Sequence, residues 1–141
     1  MNRISVFSEE KRFGKFERAL KKTALLSFKD LKKDHLAVEI FLISDLKMKK
    51  LNCKFRNKNK TTNILSFEVP SGMPRPDLGD SKFIGEIFLA PDHVEEKKEE
   101  LGFLLVHGIL HLLGYTHSSE RNAIMMNKLE HKIWNKICQK S

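Results

Sequence analysis

The stretch His107-Gly108-Ile109-Leu110-His111-Leu112-Leu113-Gly114-Tyr115-Thr116-His117 carries three of the chain's six histidines. His107 and His111 are four apart, which on a helix puts both imidazoles on one face, one turn from each other. The residues around them, Leu101 to Leu113, are apolar on nearly every side and predict a buried central helix. Gly114 is the natural place for that helix to stop, because glycine takes the left-handed conformation at little cost. A turn there brings His117 back toward the first two rings.

The spacing matches the H-E-x-x-H-x-x-G-x-x-H zinc signature at every ligand and at the glycine. Three neutral imidazoles leave a fourth position for water, the layout of a catalytic zinc site. A water held there is acidified to a pKa of about 7. The peptidase glutamate beside the first histidine is Gly108 here, and glycine takes no proton, so zincin-type peptide hydrolysis is disfavoured. The plainer alternative is three satisfied histidines in a buried helix; burying imidazoles without partners is costly, which favours the metal reading. His35, His93 and His131 each stand alone in charged or mixed segments and are expected at the solvated surface.

Working outward, Ile4, Val6 and Phe7 suggest a short strand. Phe13, Phe16, Leu20 and Ala24 recur at steps of three and four, predicting a helix over 9–27. Val38 to Ile43 is a β-branched strand, followed by a helix over 45–55 with Ser44 as its N-cap. Ile64 to Val69 is a second strand, stopped by Pro70. Residues 70–81 hold three of the four prolines and two glycines and read as a loop. Phe83 to Ala90 is another strand. Pro91 opens a helix with an acidic first turn that continues toward Leu113, with Gly102 as its weak point. A last helix is expected over 119–138. Strands and helices mix without a linker, so one α/β or α+β domain spanning 1–141 is expected.

Of the 141 residues, 40% are apolar and 31% charged, a globular composition. Twenty-six Lys and Arg against 18 Asp and Glu leave +8. That excess points to a polyanion partner, nucleic acid ahead of an anionic membrane; a generally lysine-rich proteome is the bland alternative. Cys53 and Cys138 make neither a disulfide framework nor a cysteine zinc site, which suits a reduced, cytoplasmic setting. No apolar run reaches membrane-spanning length, and residues 1–7 do not read as a secretory leader.

Between Asp45 and Glu68 there is no acidic residue, while Lys47, Lys49, Lys50, Lys54, Arg56, Lys58 and Lys60 fall in that window. Such a cluster neutralises phosphates and releases counterions, or is simply a solvated helix face. Arg56 stands out because a planar guanidinium binds phosphate through two hydrogen bonds.

These residues resemble the YbeY family of bacterial rRNA maturation factors, which are metal-dependent endoribonucleases. The family signature H-G-x-L-H-L-x-G-Y-D-H stands here as HGILHLLGYTH. A second block, L-N-x-x-Y-R-x-K-D-x-x-T-D-V-L-S-F-P, is matched by LNCKFRNKNKTTNILSFEVP, and a third, G-D-I, by Gly85-Glu86-Ile87. The likeness runs in order from about residue 38 to 117.

The resemblance implies one α/β domain with a small, mostly four-stranded mixed sheet flanked by helices. It implies that His107, His111 and His117 bind one Zn2+, that Arg56 acts in RNA cleavage, and that the substrate is single-stranded rRNA. Work at the 3′ end of 16S rRNA, quality control of ribosomal subunits and a cytoplasmic location follow from the same likeness. Lys54, Lys58 and Lys60 are the expected RNA-binding lysines. Three departures stand out: Thr116 and Asn63 replace family aspartates, and the stretch from Ala90 to His107 is short. A missing aspartate removes a proton carrier, for which Glu68 and Glu86 are candidate substitutes. A non-catalytic RNA- or ribosome-binding assembly factor with a structural zinc is the rival reading.

Overall fold

Val38, Ile40 and Leu42 point to one side of the strand Leu36–Leu42 (β2) and Phe41 to the other, so both sides of this strand face apolar layers. The computed structural model describes residues 1–69 and 75–140. β2 is central. It pairs in parallel with Arg3–Ser8 (β1) and with Lys82–Leu89 (β4), and Ile64–Glu68 (β3) adds antiparallel to β4, giving the order β1-β2-β4-β3. This is the expected small mixed sheet in an α+β arrangement.

One face of the sheet meets two helices. Glu17–Asp30 (α1) supplies Leu20, Ala24 and Phe28, and Leu101–Leu112 (α4) supplies Leu105 and Ile109, to a core with Ile40, Leu42, Ile87 and Leu89. Each leucine, isoleucine or phenylalanine among them contributes roughly 1.5–3 kcal/mol when removed from water. Glu120–Lys140 (α5) packs on the outside of α4 through Met126, Ile133 and Ile137. The other face carries Asp45–Arg56 (α2), whose Met48 joins Ile43, Leu65 and Ala90. There Phe41 stacks on Phe88, with ring centroids 4.8 Å apart.

Ser44 caps α2 as expected, its side chain accepting from the Lys47 amide. Two boundaries differ from the sequence reading. Residues 11–16 form a 3-10 turn before α1 rather than its first helical turns. The helix opened by Pro91 ends at Glu96 (α3, Pro91–Glu96), ahead of Gly102. Lys98 there adopts a left-handed φ of 56°, and the Glu99 amide donates to the Val94 carbonyl, which closes α3. Gly102 lies inside α4 instead, where a Cβ would sit 2.5 Å from the Trp134 ring. It is a packing glycine and not a break. Of the expected loop over 70–81, residues 70–74 lie outside the described residues; Pro76–Leu78 is a short 3-10 turn.

Two glycines let α4 lie close on the sheet. Gly85 sits beside a register shift between β2 and β4 with φ 146°, and a Cβ would fall 2.3 Å from the Phe67 carbonyl oxygen and 2.8 Å from a Leu112 methyl. Gly108 also faces the sheet, and a Cβ there would sit 3.0 and 3.2 Å from the side chains of Ile64 and Ile87. No disulfide joins Cys53 and Cys138, which are both exposed. No helix among the described residues is long and apolar enough to cross a membrane.

Candidate metal centre

His107 and His111 project from the same side of α4, and their Nε2 atoms lie 3.0 Å apart. The helix then ends as the sequence predicts. The Gly114 and Tyr115 amides donate to the carbonyls of His111 and Leu110, and Gly114 takes φ 97°. The turn carries His117 back, with its ring centroid 5.4 Å from that of His107 and 5.2 Å from that of His111. One nitrogen from each of the three rings falls within 4.8 Å of the others, a set that could hold one metal ion. The position of the peptidase glutamate, Gly108, faces the sheet and not the rings, so a longer side chain there would run into Ile64 and Ile87.

The sequence reading missed Glu130. This carboxylate is 5% exposed, and its Oε1 lies 2.5 Å from Nδ1 of His107. A carboxylate there fixes the proton on Nδ1 and leaves Nε2 free to ligate, the usual arrangement around a metal-binding histidine. The signal was present in the helical stripe: Met126, Glu130, Ile133 and Ile137 share the buried face of α5, and one of the four is charged. Burial and the neighbouring rings of His107 and His117 hold His111 below the usual histidine pKa, against the pull of Glu130. Its neutral, ligating form is thereby favoured at neutral pH.

Beside the rings is a cavity of about 470 Å³ lined by His107, His111, Arg56, Lys58, Lys60 and Glu68, among others. Arg56 is the last residue of α2. Asn57 follows with a left-handed φ of 58°, which turns the chain so that Lys58 and Lys60 line the same cleft. Arg56 donates from Nη2 to the Ser66 carbonyl at 3.4 Å and lies over the Phe67 ring at 5.8 Å. Lys54 is elsewhere. It sits over Phe55 on the outer side of α2 and does not line this cleft.

Of the two candidate substitutes, Glu68 lines the cleft and Glu86 does not. Glu86 stands opposite Glu39 in the β2–β4 register, on the α2 side of the sheet, and burial and Glu39 raise its pKa. Thr116 hydrogen-bonds within its own turn, to Ser118 at 2.8 Å, and Asn63 donates to Glu99 at 3.2 Å. His35 and His131 are exposed as expected, and His131 lies against Phe103; His93 is half-buried.

The "Endoribonuclease YbeY" of Thermodesulfovibrio yellowstonii is 42% identical over 107 residues, covering 70% of this chain and 65% of that one. That of Francisella tularensis subsp. novicida is 36% identical over 104 residues, covering 68% and 64%. The match thus spans just under two thirds of these curated relatives. A Thermotoga maritima protein solved in solution superposes with a TM-score of 0.58 at 25% identity, covering 97% of this chain and 93% of that one. Residues 4–138 match the family model described as Endoribonuclease YbeY, and the chain belongs to that family.

Proposed function

We propose that this chain is a metal-dependent endoribonuclease acting on single-stranded rRNA, at the 3′ end of 16S rRNA and in quality control of ribosomal subunits in the cytoplasm. The observation that carries the reading is the shared cleft: His107, His111 and Arg56 line one cavity. The endoribonuclease name of the curated relatives supports the reaction class.

His107, His111 and His117 are the proposed ligands of one Zn2+, because three imidazole nitrogens suit zinc better than magnesium or calcium. When bound, the ion supplies Lewis acidity at a phosphoryl oxygen or at a water. Glu130 orients His107 and holds its Nδ1 proton. Arg56 reaches into the cleft with its remaining donors, placed to bind a phosphate and to stabilise the negative charge that grows on it in the transition state. Lys58 and Lys60 track the flanking phosphates. Lys54, on the outer side of α2, engages only a strand that passes beyond the cleft.

One observation favours a second reading, a non-catalytic assembly factor with a structural metal. Thr116 is engaged with Ser118, so its turn offers the rings no carboxylate. The two readings separate on cleavage of an end-labelled 3′-terminal rRNA fragment. Wild type and His111→Ala would be purified identically and assayed with and without added zinc. Cutting by wild type alone supports the nuclease. Equal cutting by both marks a contaminant. Binding without cutting, with a metal held at the three histidines, supports the assembly factor. A 2′,3′-cyclic phosphate product identifies the RNA's own 2′-OH as nucleophile, and a 5′-phosphate identifies water.

A further inference from the structure

A second group of metal-ligating side chains lies away from the three histidines. Asp45 opens α2, and His93 and Glu96 lie three apart on one side of α3. One ligand atom from each falls within 4.8 Å of the others. The sheet explains why these two helices start side by side. β2 and β4 are parallel neighbours, so α2 and α3 leave from the same end of the sheet, and the Ile43 amide donates to the Leu89 carbonyl to lock the two exits together. The carboxyl ends of parallel strands are where open α/β sheets place their ligands.

The group has no protein partner for its side chains among the described residues, and one of its oxygens is shut off from water. Asp45 Oδ1 is buried and has no hydrogen-bond partner. Among the described residues no salt bridge or side-chain hydrogen bond reaches Asp45, His93 or Glu96. Arg12, which pairs with neighbouring Asp92 at 2.5 and 2.7 Å and with Glu10 at 3.0 Å, is already committed. A buried carboxylate oxygen facing no donor is unfavourable, and a bound cation removes that penalty while drawing two carboxylates and an imidazole together.

The geometry points to a second divalent-cation site formed by Asp45, His93 and Glu96. One imidazole with two carboxylates is a donor set for a first-row transition ion such as Mn2+ or Zn2+, since Mg2+ and Ca2+ prefer oxygen alone. The ion ties the first turn of α2 to α3. The opposite end of α2, about 16 Å away at 1.5 Å per residue, carries Arg56. The site is structural and independent of the histidine centre.

The test uses the full chain, stripped with a chelator and desalted, then titrated with Mn2+ (followed by the electron paramagnetic resonance of the free ion) and with Zn2+ (followed by calorimetry). Wild type is expected to take up two ions per chain. The His107→Ala/His111→Ala variant is expected to keep one, which makes the result independent of the proposed nuclease centre. Glu96→Gln, on an exposed position, should weaken the second ion by at least tenfold, and His93→Ala should do the same. In the histidine-centre variant, added Mn2+ should raise the melting temperature, and Glu96→Gln in that background should abolish the rise. The proposal is overturned if the histidine-centre variant binds no ion, or if Glu96→Gln and His93→Ala leave its ion in place.

Discussion

Glu130 anchors His107 from another helix: its Oε1 lies 2.5 Å from the ring Nδ1 although 23 positions separate the two residues. Glutamine in place of Glu130 keeps the size and an acceptor but loses the charge. We expect Glu130→Gln to lower metal affinity about 10- to 100-fold, the usual loss when such a partner is altered, with little change in fold. Competition with a chelating dye measures it. An unchanged affinity would mean that the carboxylate serves packing alone.

Arg56 touches the cleft but none of the three imidazoles. Arg56→Ala should leave metal content unchanged and lower kcat for RNA cleavage by about 100- to 1000-fold, the range for removing a donor to a transition-state oxygen. Arg56→Lys should recover only part of that loss, because an ammonium cannot make the paired contact. A rise in KM with kcat unchanged would reduce Arg56 to a phosphate-binding group.

Gly85 has no room for a side chain. Its Cβ would meet a backbone oxygen at 2.3 Å, and neither atom is free to move. Gly85→Ala should cost about 2–4 kcal/mol, from overpacking together with left-handed strain. At Gly108 the neighbours are methyl ends at 3.0 and 3.2 Å, which can shift, and alanine gains helix propensity of about 1 kcal/mol. Denaturant melts should therefore rank Gly108→Ala well above Gly85→Ala. The reverse order would show that the helix, and not the strand bulge, sets the spacing.

The lowered pKa of His111 has a defined effect on stability. The unfolded chain takes up this proton near pH 6.5, and the folded chain only at lower pH. Between those values the unfolded state holds more protons, so stability rises with pH. The contribution is complete above about 6.5 and is lost as the pH falls through the folded value. Metal-free protein should melt at lower temperature as the pH drops from about 7.5 to about 5, and His111→Asn should flatten that slope. Equal slopes in the two proteins would remove His111 as the cause.

Glu86 works in the opposite sense. Burial and the facing Glu39 raise its pKa, so the folded state holds its proton more tightly than the unfolded chain. Stability from this group is present below the unfolded value and fades as the pH rises through the folded one. Glu86→Gln should raise the melting temperature at pH 7 and make little difference near pH 4. A variant that melts lower at pH 7 would show that the attraction of nearby Arg75, which opposes the rise, outweighs burial and Glu39.

What could be read from the sequence was local. The periodicity of α4, the stop at Gly114 and the Ser44 cap are written within a few residues each, and all three appear where expected. What could not be read depends on contacts between distant segments. Glu130 looks like one more helix charge until α5 is seen to bury it against His107. Gly102 looks like a helix breaker until Trp134 is seen lying on it, while the true break uses Lys98, a residue with no turn signature. His93 looks like a solvated histidine because nothing in its neighbourhood announces Asp45, which β2 and β4 bring alongside from far earlier in the chain.

The pairing of His107 with Glu130 also sets an order of events. A chain synthesised only as far as His117 already owns all three imidazoles, but the carboxylate that orients the first of them is still to be made. The rings acquire their anchor only when α5 docks on α4. Full metal affinity thus reports that α5 has docked. A half-made or frayed chain carries the same three imidazoles but grips the metal more weakly.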